Sequence, residues 1–376
     1  MAYAAAAKLC VGMTALAGCL CLPPRVLAQD TPSRPAESAR RWEIEFHAGQ
    51  SWLGTPREGT GALPSPGSFT RFGRVDPREP SWYFGDGTAL LNGVMAASGL
   101  SPRVTPLDSV LQSVIADRSG GGSVGVRLGR QIAARLDTEF GVDYVFGTLD
   151  VTPRARAGIE VSRSSFASTW ATFLNDPLIT GVRIGSVATV SEPKRADELL
   201  ASGVVNVALL NRSRTRGYVT LGGAYLSNRV ATVGATLKGQ YQFILPTDSR
   251  VSLPPPFDET DLVSIRHDER EGLVAVVGGG LKYFASNRTG IRLDVRAFLS
   301  PSRSGTLVDA TPSVVTVGPT EAGRAGTDMN AIRFVNNETY LGEPTTLSGR
   351  AVNFPTFSST GVQQRIAVTV GLFWRF

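Results

Sequence analysis

Two histidines are the residues of this 376-residue chain best suited to acid–base chemistry. His47 lies in "EIEFHAG", two positions from Glu45, and His267 lies in "SIRHDER", beside Asp268 and Glu269. Histidine titrates near neutrality and serves as a general base when a third group orients it toward a nucleophile. No Ser–His spacing completes such a set, and adjacent residues in a loop do not define a triad. His47 therefore reads as part of a polar interior and His267 as exposed loop charge. The carboxylates in "FGDGTALLN" (Phe84 to Asn92) and "FDETD" (Phe257 to Asp261) lack full calcium-loop spacing, and turn chemistry explains them better. These residues lead us to expect no enzyme, no metal site and no cofactor.

The cysteines point the same way. Cys10, Cys19 and Cys21 all fall in an N-terminal stretch that reads as an export signal, with Lys8, the apolar "LCVGMTALAGCLCL" and small residues at Val26 and Ala28. Cleavage after Ala28 leaves no thiolate and no disulfide. "LAGC" also fits a lipidation signal at Cys19, but the apolar run continues beyond it, which favours Ala28. Residues 1–28 are thus expected to be removed and 29–41 to be a periplasmic segment. The net charge of +6 falls to +4 without Lys8 and Arg25, and the bases form no nucleic-acid stripe.

What would position any site is a set of alternating segments. "RIAVTVGLFWRF" puts Ile366, Val368, Val370, Leu372, Trp374 and Phe376 on one face of a strand, with Arg365 and Arg375 on the other. Seven more segments alternate in the same way, beginning at "RWEIEFHAGQSWL", "GSVGVRLG", "AARLDTEFGVDYVFG", "VVNVALL", "GYVTLGGAYL", "GLVAVVGGGLKYF" and "TGIRLDVRAFLS". Three connections are short, and four are long, roughly residues 54–121, 148–202, 227–270 and 300–361. Short turns at one end and long loops at the other predict an all-β, antiparallel, up-and-down transmembrane barrel of eight strands over residues 42–376. A soluble sandwich explains each strand equally well, though not the turn and loop asymmetry. "ATVGATLKGQYQFIL" and "VVTVG" read as strand extensions above the membrane, and "ADELLASG" and "TALLNGVMAASGL" as the best helical candidates.

The inward face collects Glu43, Glu45, His47, Arg127, Arg135, Asp137, Glu139, Asp143, Lys282, Arg292, Asp294, Arg296, Arg365 and Arg375. Eight strands enclose a space that side chains can fill, so a charge-paired plug is favoured and a narrow water path is the alternative. Trp82, Tyr83 and Phe84 in the first long loop would either anchor a partner or pack the loop as a cap, with the cap favoured. Rim arginines such as Arg163 and Arg229 could meet lipopolysaccharide phosphates.

The end "VTVGLFWRF" and hairpins such as "GGGLKYFASNRTGIRLDVRAF" resemble the OmpA-like and OmpW-like eight-stranded outer-membrane barrels. The resemblance implies a barrel in the outer membrane, among outer-membrane lipid and lipopolysaccharide. It implies that Phe376, Trp374 and Leu372 address the strand to the outer-membrane assembly machinery. No peptidoglycan-binding domain follows the last strand, so that role of OmpA does not carry over. The expected role is structural or interactive, through an extracellular partner of the loops, with a narrow porin-like channel as the alternative and an outer-membrane lipid-modifying or proteolytic enzyme disfavoured for want of a site.

Overall fold

The computed structural model describes residues 42–376 apart from 55–57, 66, 72–73, 79, 176–179, 229–230, 245–256, 270, 302–303, 317–338, 341–342 and 345–350. The export segment, with Cys19 and Ala28, lies outside the described residues, as do residues 29–41 and Arg229.

Eight strands close into a barrel: β1 (Trp42–Leu53), β2 (Gly122–Ala133), β3 (Leu136–Val145), β4 (Glu198–Asn211), β5 (Thr215–Asn228), β6 (Gly272–Phe284), β7 (Thr289–Pro301) and β8 (Val362–Arg375). Each pairs antiparallel with its neighbours in chain order, and β8 returns to β1 in a register running from Glu43↔Arg375 to Leu53↔Arg365. Trp42 and Phe376 exchange backbone hydrogen bonds of 3.0 and 2.9 Å across this seam. Closure satisfies every strand edge, which an open sheet cannot do.

The period-two pattern sorts the faces. Phe46, Trp52, Phe140, Leu221, Leu293, Val370 and Leu372 point outward and are exposed, whereas Glu45, Glu139, Arg292 and Asp294 point inward and are buried. Trp374 and Phe376 are also exposed, while Phe373, next to Trp374, is buried.

The long connections are not loops but a second folded tier. Its six-stranded sheet runs in the order Gly59–Gly61, Ala351–Ser359, Ser304–Thr316, Phe257–Glu269, Gly234–Ile244 and Thr180–Val190. That order repeats β1, β8, β7, β6, β5 and β4, because each segment adjoins its barrel strand in the chain. A three-stranded sheet of Ala116–Arg118, Thr148–Val151 and Lys194–Arg195 stands over β2 and β3 in the same sense. "ATVGATLKGQYQFIL" thus continues β5, and Val314 to Thr316 end the continuation of β7, with residues 317–318 outside the described residues. At the break between Ala351–Ser359 and β8, Gly361 takes φ +91°, a conformation that side chains with a Cβ rarely adopt.

Two longer helices and one of four residues (Asp108–Leu111) fill the upper tier among the described residues. α1 (Gly85–Ala97) covers most of "TALLNGVMAASGL". "ADELLASG" is a strand instead: Leu199 faces out and Leu200 in, and the adjacent leucines imitated a helical face. α2 (Pro153–Phe173) was not anticipated. Thr152 caps it, its Oγ1 accepting from the Ala155 N–H at 3.2 Å, with Pro153 in the first turn. Its buried stripe of Ala155, Ile159, Ser162, Phe166, Thr169 and Trp170 has helical spacing.

Candidate functional site

The barrel interior is the densest collection of functional groups, and the strands place it in layers. At the short-turn end, Lys282 Nζ reaches Glu43 Oε1 at 2.5 Å, Arg375 Nε reaches Glu43 Oε2 at 3.1 Å and Arg216 Nη2 reaches Asp137 at 3.2 Å. The next layer centres on Arg292. Its Nη1 meets Glu45 at 2.8 Å and Glu139 at 2.5 Å, and its Nη2 meets Asp294 at 2.6 Å. Its Nε donates to the Tyr218 hydroxyl, and its guanidinium lies 4.7 Å from the Tyr218 ring centroid. Arg296 Nη2 donates to Glu139 at 2.6 Å and to Asp294 at 3.1 Å, while Arg127 Nη1 reaches Glu45 at 3.1 Å and Asp294 at 3.2 Å. Bidentate, shared contacts of this kind suit arginine's planar fork.

Above this layer His47 Nε2 is hydrogen-bonded to Asp143, and Asn206 links Glu139 to Thr220. An apolar band of Val145, Leu200, Val204, Ala224, Val274, Val276 and Phe298 follows. A second ionic cluster sits at the tier junction: Arg365 pairs with Glu198, and Arg118 pairs with Glu198 at 3.4 Å and Glu269 at 2.6 Å.

Thirteen lumen residues were expected besides Arg375, and twelve of these thirteen face inward. Arg135 does not. It occupies the two-residue turn between β2 and β3 and is exposed, because β3 begins only at Leu136. Sequence reasoning missed Glu198, Arg216, Tyr218 and Arg118. The alternation Arg216, Tyr218, Thr220 could have revealed two of these, and the helical reading of "ADELLASG" concealed Glu198.

The lumen is closed. Side-chain exposure of Arg292 and Asp294 is 1%, and that of Arg296 is 2%, so water enters their layer from neither end. Two small voids, of about 20 and 10 Å³, flank Arg365 and Phe298. Each has room for about one water molecule.

In the upper tier the expected loop aromatics are fully buried. Trp82, Tyr83 and Phe84 belong to a core with Leu91, Met95, Phe166 and Trp170. Tyr83 stacks on Phe166 at 4.7 Å, and Trp170 stacks on Tyr241 at 4.2 Å with Trp82 edge-on at 5.5 Å.

"FDETD" forms no turn; it opens the strand Phe257–Glu269 and sends Glu259 and Asp261 into that core. Glu259 accepts from Trp82 Nε1 at 3.1 Å and from the Tyr241 hydroxyl. Asp261 Oδ2 accepts from the Trp82 N–H at 2.6 Å and Ser81 Oγ at 3.0 Å, while its Oδ1 has no partner among the described residues. Burial raises the Asp261 carboxyl to about 7 against these two hydrogen bonds, which lower it. The folded tier thus holds this proton more tightly than the unfolded chain does. The stabilisation is complete below the ordinary aspartate value of about 4 and is lost as pH rises to about 7. Limited proteolysis of the upper tier should become faster between pH 5 and pH 8, and Asp261→Asn should flatten that dependence.

His267 is a further correction. It is buried on the same strand rather than exposed in a loop, and burial holds its imidazole below the usual value. Among the described residues no group of histidine, cysteine or carboxylate side chains could hold a metal ion. Arg163 is held by Glu160 at 2.5 Å and by the Ser186 carbonyl at 3.0 Å.

No protein-family model and no curated relative matches the chain. Among solved structures it is similar to the outer membrane protein OprG from Pseudomonas aeruginosa, at 7% identity over 89% of this chain and 95% of that one, with a TM-score of 0.35. It is similar to the outer membrane protease OmpT from Escherichia coli at 8% identity over 93% and 99%, with a TM-score of 0.30. The toluene transporter TodX of Pseudomonas putida follows at 10% identity over 91% of each chain, with a TM-score of 0.18. Likenesses this distant carry no argument about role, and the barrel assignment rests on the chain's own strand pairing.

Proposed function

We propose that the chain is an outer-membrane β-barrel with a structural or surface-interaction role, its lumen sealed by paired charges and its outer tier presented to the outside as a folded cap. Membrane insertion is supported by the outward face. Its positions on the barrel strands hold residues such as Ile44, Phe46, Val126, Phe140, Val205, Leu221, Val295 and Val368, and its one charged side chain among the described residues is Arg130, opposite Trp42 at the short-turn edge. Barrel strands of 10–14 residues are long enough to cross a bilayer at a tilt. Trp42, Tyr283 and Trp374 near one edge of this belt and Trp52, Phe146 and Tyr225 near the other suit the two interfaces. No helix among the described residues is long and apolar enough to cross a membrane.

The observation that carries the sealed reading is the 1–2% exposure of the Arg292, Asp294 and Arg296 side chains. A porin-like channel needs a water path through that layer. Purified protein in a planar bilayer is expected to show no ion steps, and Arg296→Ala, which removes two contacts to Glu139 and Asp294, is expected to produce them. Steps from the unaltered protein would establish the channel instead. Membrane placement has its own check. The native band in outer-membrane fractions should resist SDS until heated, and a band confined to the soluble periplasm would sink the proposal.

A further inference from the structure

The two edges of the apolar belt differ in how their arginines are satisfied. On the long-connection side, four guanidinium groups have carboxylate partners, Arg156 with Asp150 at 2.6 Å, Arg163 with Glu160 at 2.5 Å, Arg266 with Asp309 at 2.5 Å, and Arg195 with Asp197, while Arg154 and Arg183 are exposed without one among the described residues. The short-turn edge is different. Arg135 lies in the first turn, Arg212 and Arg214 in the second and Arg288 in the third, and Arg130 is outward on β2, opposite Trp42 at the start of β1. All five are exposed, and none has a carboxylate partner among the described residues. The acids at this end, Glu43 and Asp137, point inward and are taken by Lys282, Arg375 and Arg216. The turns and adjoining strand ends therefore carry no exposed Asp or Glu side chain.

We infer that this ring is a binding surface for the phosphate groups of anionic phospholipids in the leaflet on the short-turn side. This rests on the membrane reading above, and the position of the ring favours lipid over a soluble partner. The Arg130 guanidinium lies 5.2 Å from the ring centroid of Trp42, an outward residue at the belt edge. It is thus held where the apolar surface ends and head groups begin. Tyr283 and Trp374 are outward at the same edge. A guanidinium matches two phosphate oxygens at once, and several around a narrow barrel attract anionic head groups together. Arginine is the only base on this ring, which fits phosphate recognition better than a diffuse cationic surface.

The test uses the full protein folded in detergent, confirmed by its heat-dependent gel shift, and then placed in nanodiscs of equal phosphatidylglycerol and phosphatidylcholine. Lipids retained after release are counted by native mass spectrometry. Phosphatidylglycerol should be enriched several-fold over phosphatidylcholine, and the R135Q/R212Q/R214Q/R288Q variant should lose that enrichment while keeping its heat shift. Single variants at each position should lose part of it, which guards against a quadruple variant that fails to fold. Equal retention of the two lipids by the unaltered protein overturns the inference. So does arginine-dependent binding to purified cell-wall sacculi without lipid preference, which would assign the ring to the wall polymer. A protein that neither shifts on heating nor enters nanodiscs would instead fail the membrane reading itself.

Discussion

Replacing Arg292 with methionine should cost about 3–5 kcal/mol, the usual range for removing one partner of a buried ionic cluster. Arg292 is the group on which the Glu45, Glu139 and Asp294 carboxylates converge. Without it the guanidinium groups left to these three are those of Arg127 and Arg296, in a layer that water does not reach. The hydroxyl of Tyr218 also loses the Nε donor while still donating to Asp294 at 2.8 Å. The outcome should appear as a lower temperature for the heat-dependent gel shift and a lower urea midpoint in detergent. Arg292→Met combined with Glu139→Gln should recover part of the loss, because the second change removes one orphaned charge. An unchanged midpoint would mean that water enters and screens the layer, and the sealed lumen would have to be abandoned.

Trp170→Ala is expected to have an effect of similar size in a different place. Trp170 contacts Trp82, Phe166, Phe173 and Tyr241, and truncating a buried aromatic typically costs about 3–5 kcal/mol through lost transfer energy and the cavity left behind. The loss should be confined to the upper tier. Protease added to intact cells should cut the variant within residues 54–121 or 148–202, while the barrel keeps its heat shift. Loss of both together would show that the tiers fold as one unit.

The two tiers differ in how plainly the sequence announces them. In the barrel, lipid on one side and paired charges on the other give each strand two contrasting faces, so the period-two signal is strong from Ile291 to Leu299 and from Ile366 to Phe376. The upper tier buries an apolar core, and its inward rows include Glu259 and Asp261, whose acidity disguises a core position until Trp82 and Tyr241 are seen to bond them. Ser162 and Thr169 interrupt the stripe of α2 in the same way. The turn between β2 and β3 is only two residues long, and extending the alternation one residue too far put Arg135 in the lumen. The pairing of particular charges was beyond the pattern, since strand order and register decide which of several acids each arginine meets.

The seam between β1 and β8 joins residues 332 positions apart, Glu43 and Arg375 among them. β1 brings Glu43 and Glu45 to an interior in which β2 to β8 supply Arg127, Arg216, Lys282, Arg292, Arg296, Arg365 and Arg375 against Asp137, Glu139, Asp143, Glu198 and Asp294. An unsealed barrel therefore carries an uncompensated excess of positive charge that only its first strand can cancel. A slip of one residue at the seam would turn the faces inside out, and the bilayer would oppose it. A slip of two would leave every apolar residue facing lipid, so the belt could not detect it. It would, however, carry Glu45 away from Arg292, and Glu43 away from Arg375 and Lys282. The ionic layers can tell the correct closure from the nearest wrong one, a distinction to which the lipid-facing surface is blind.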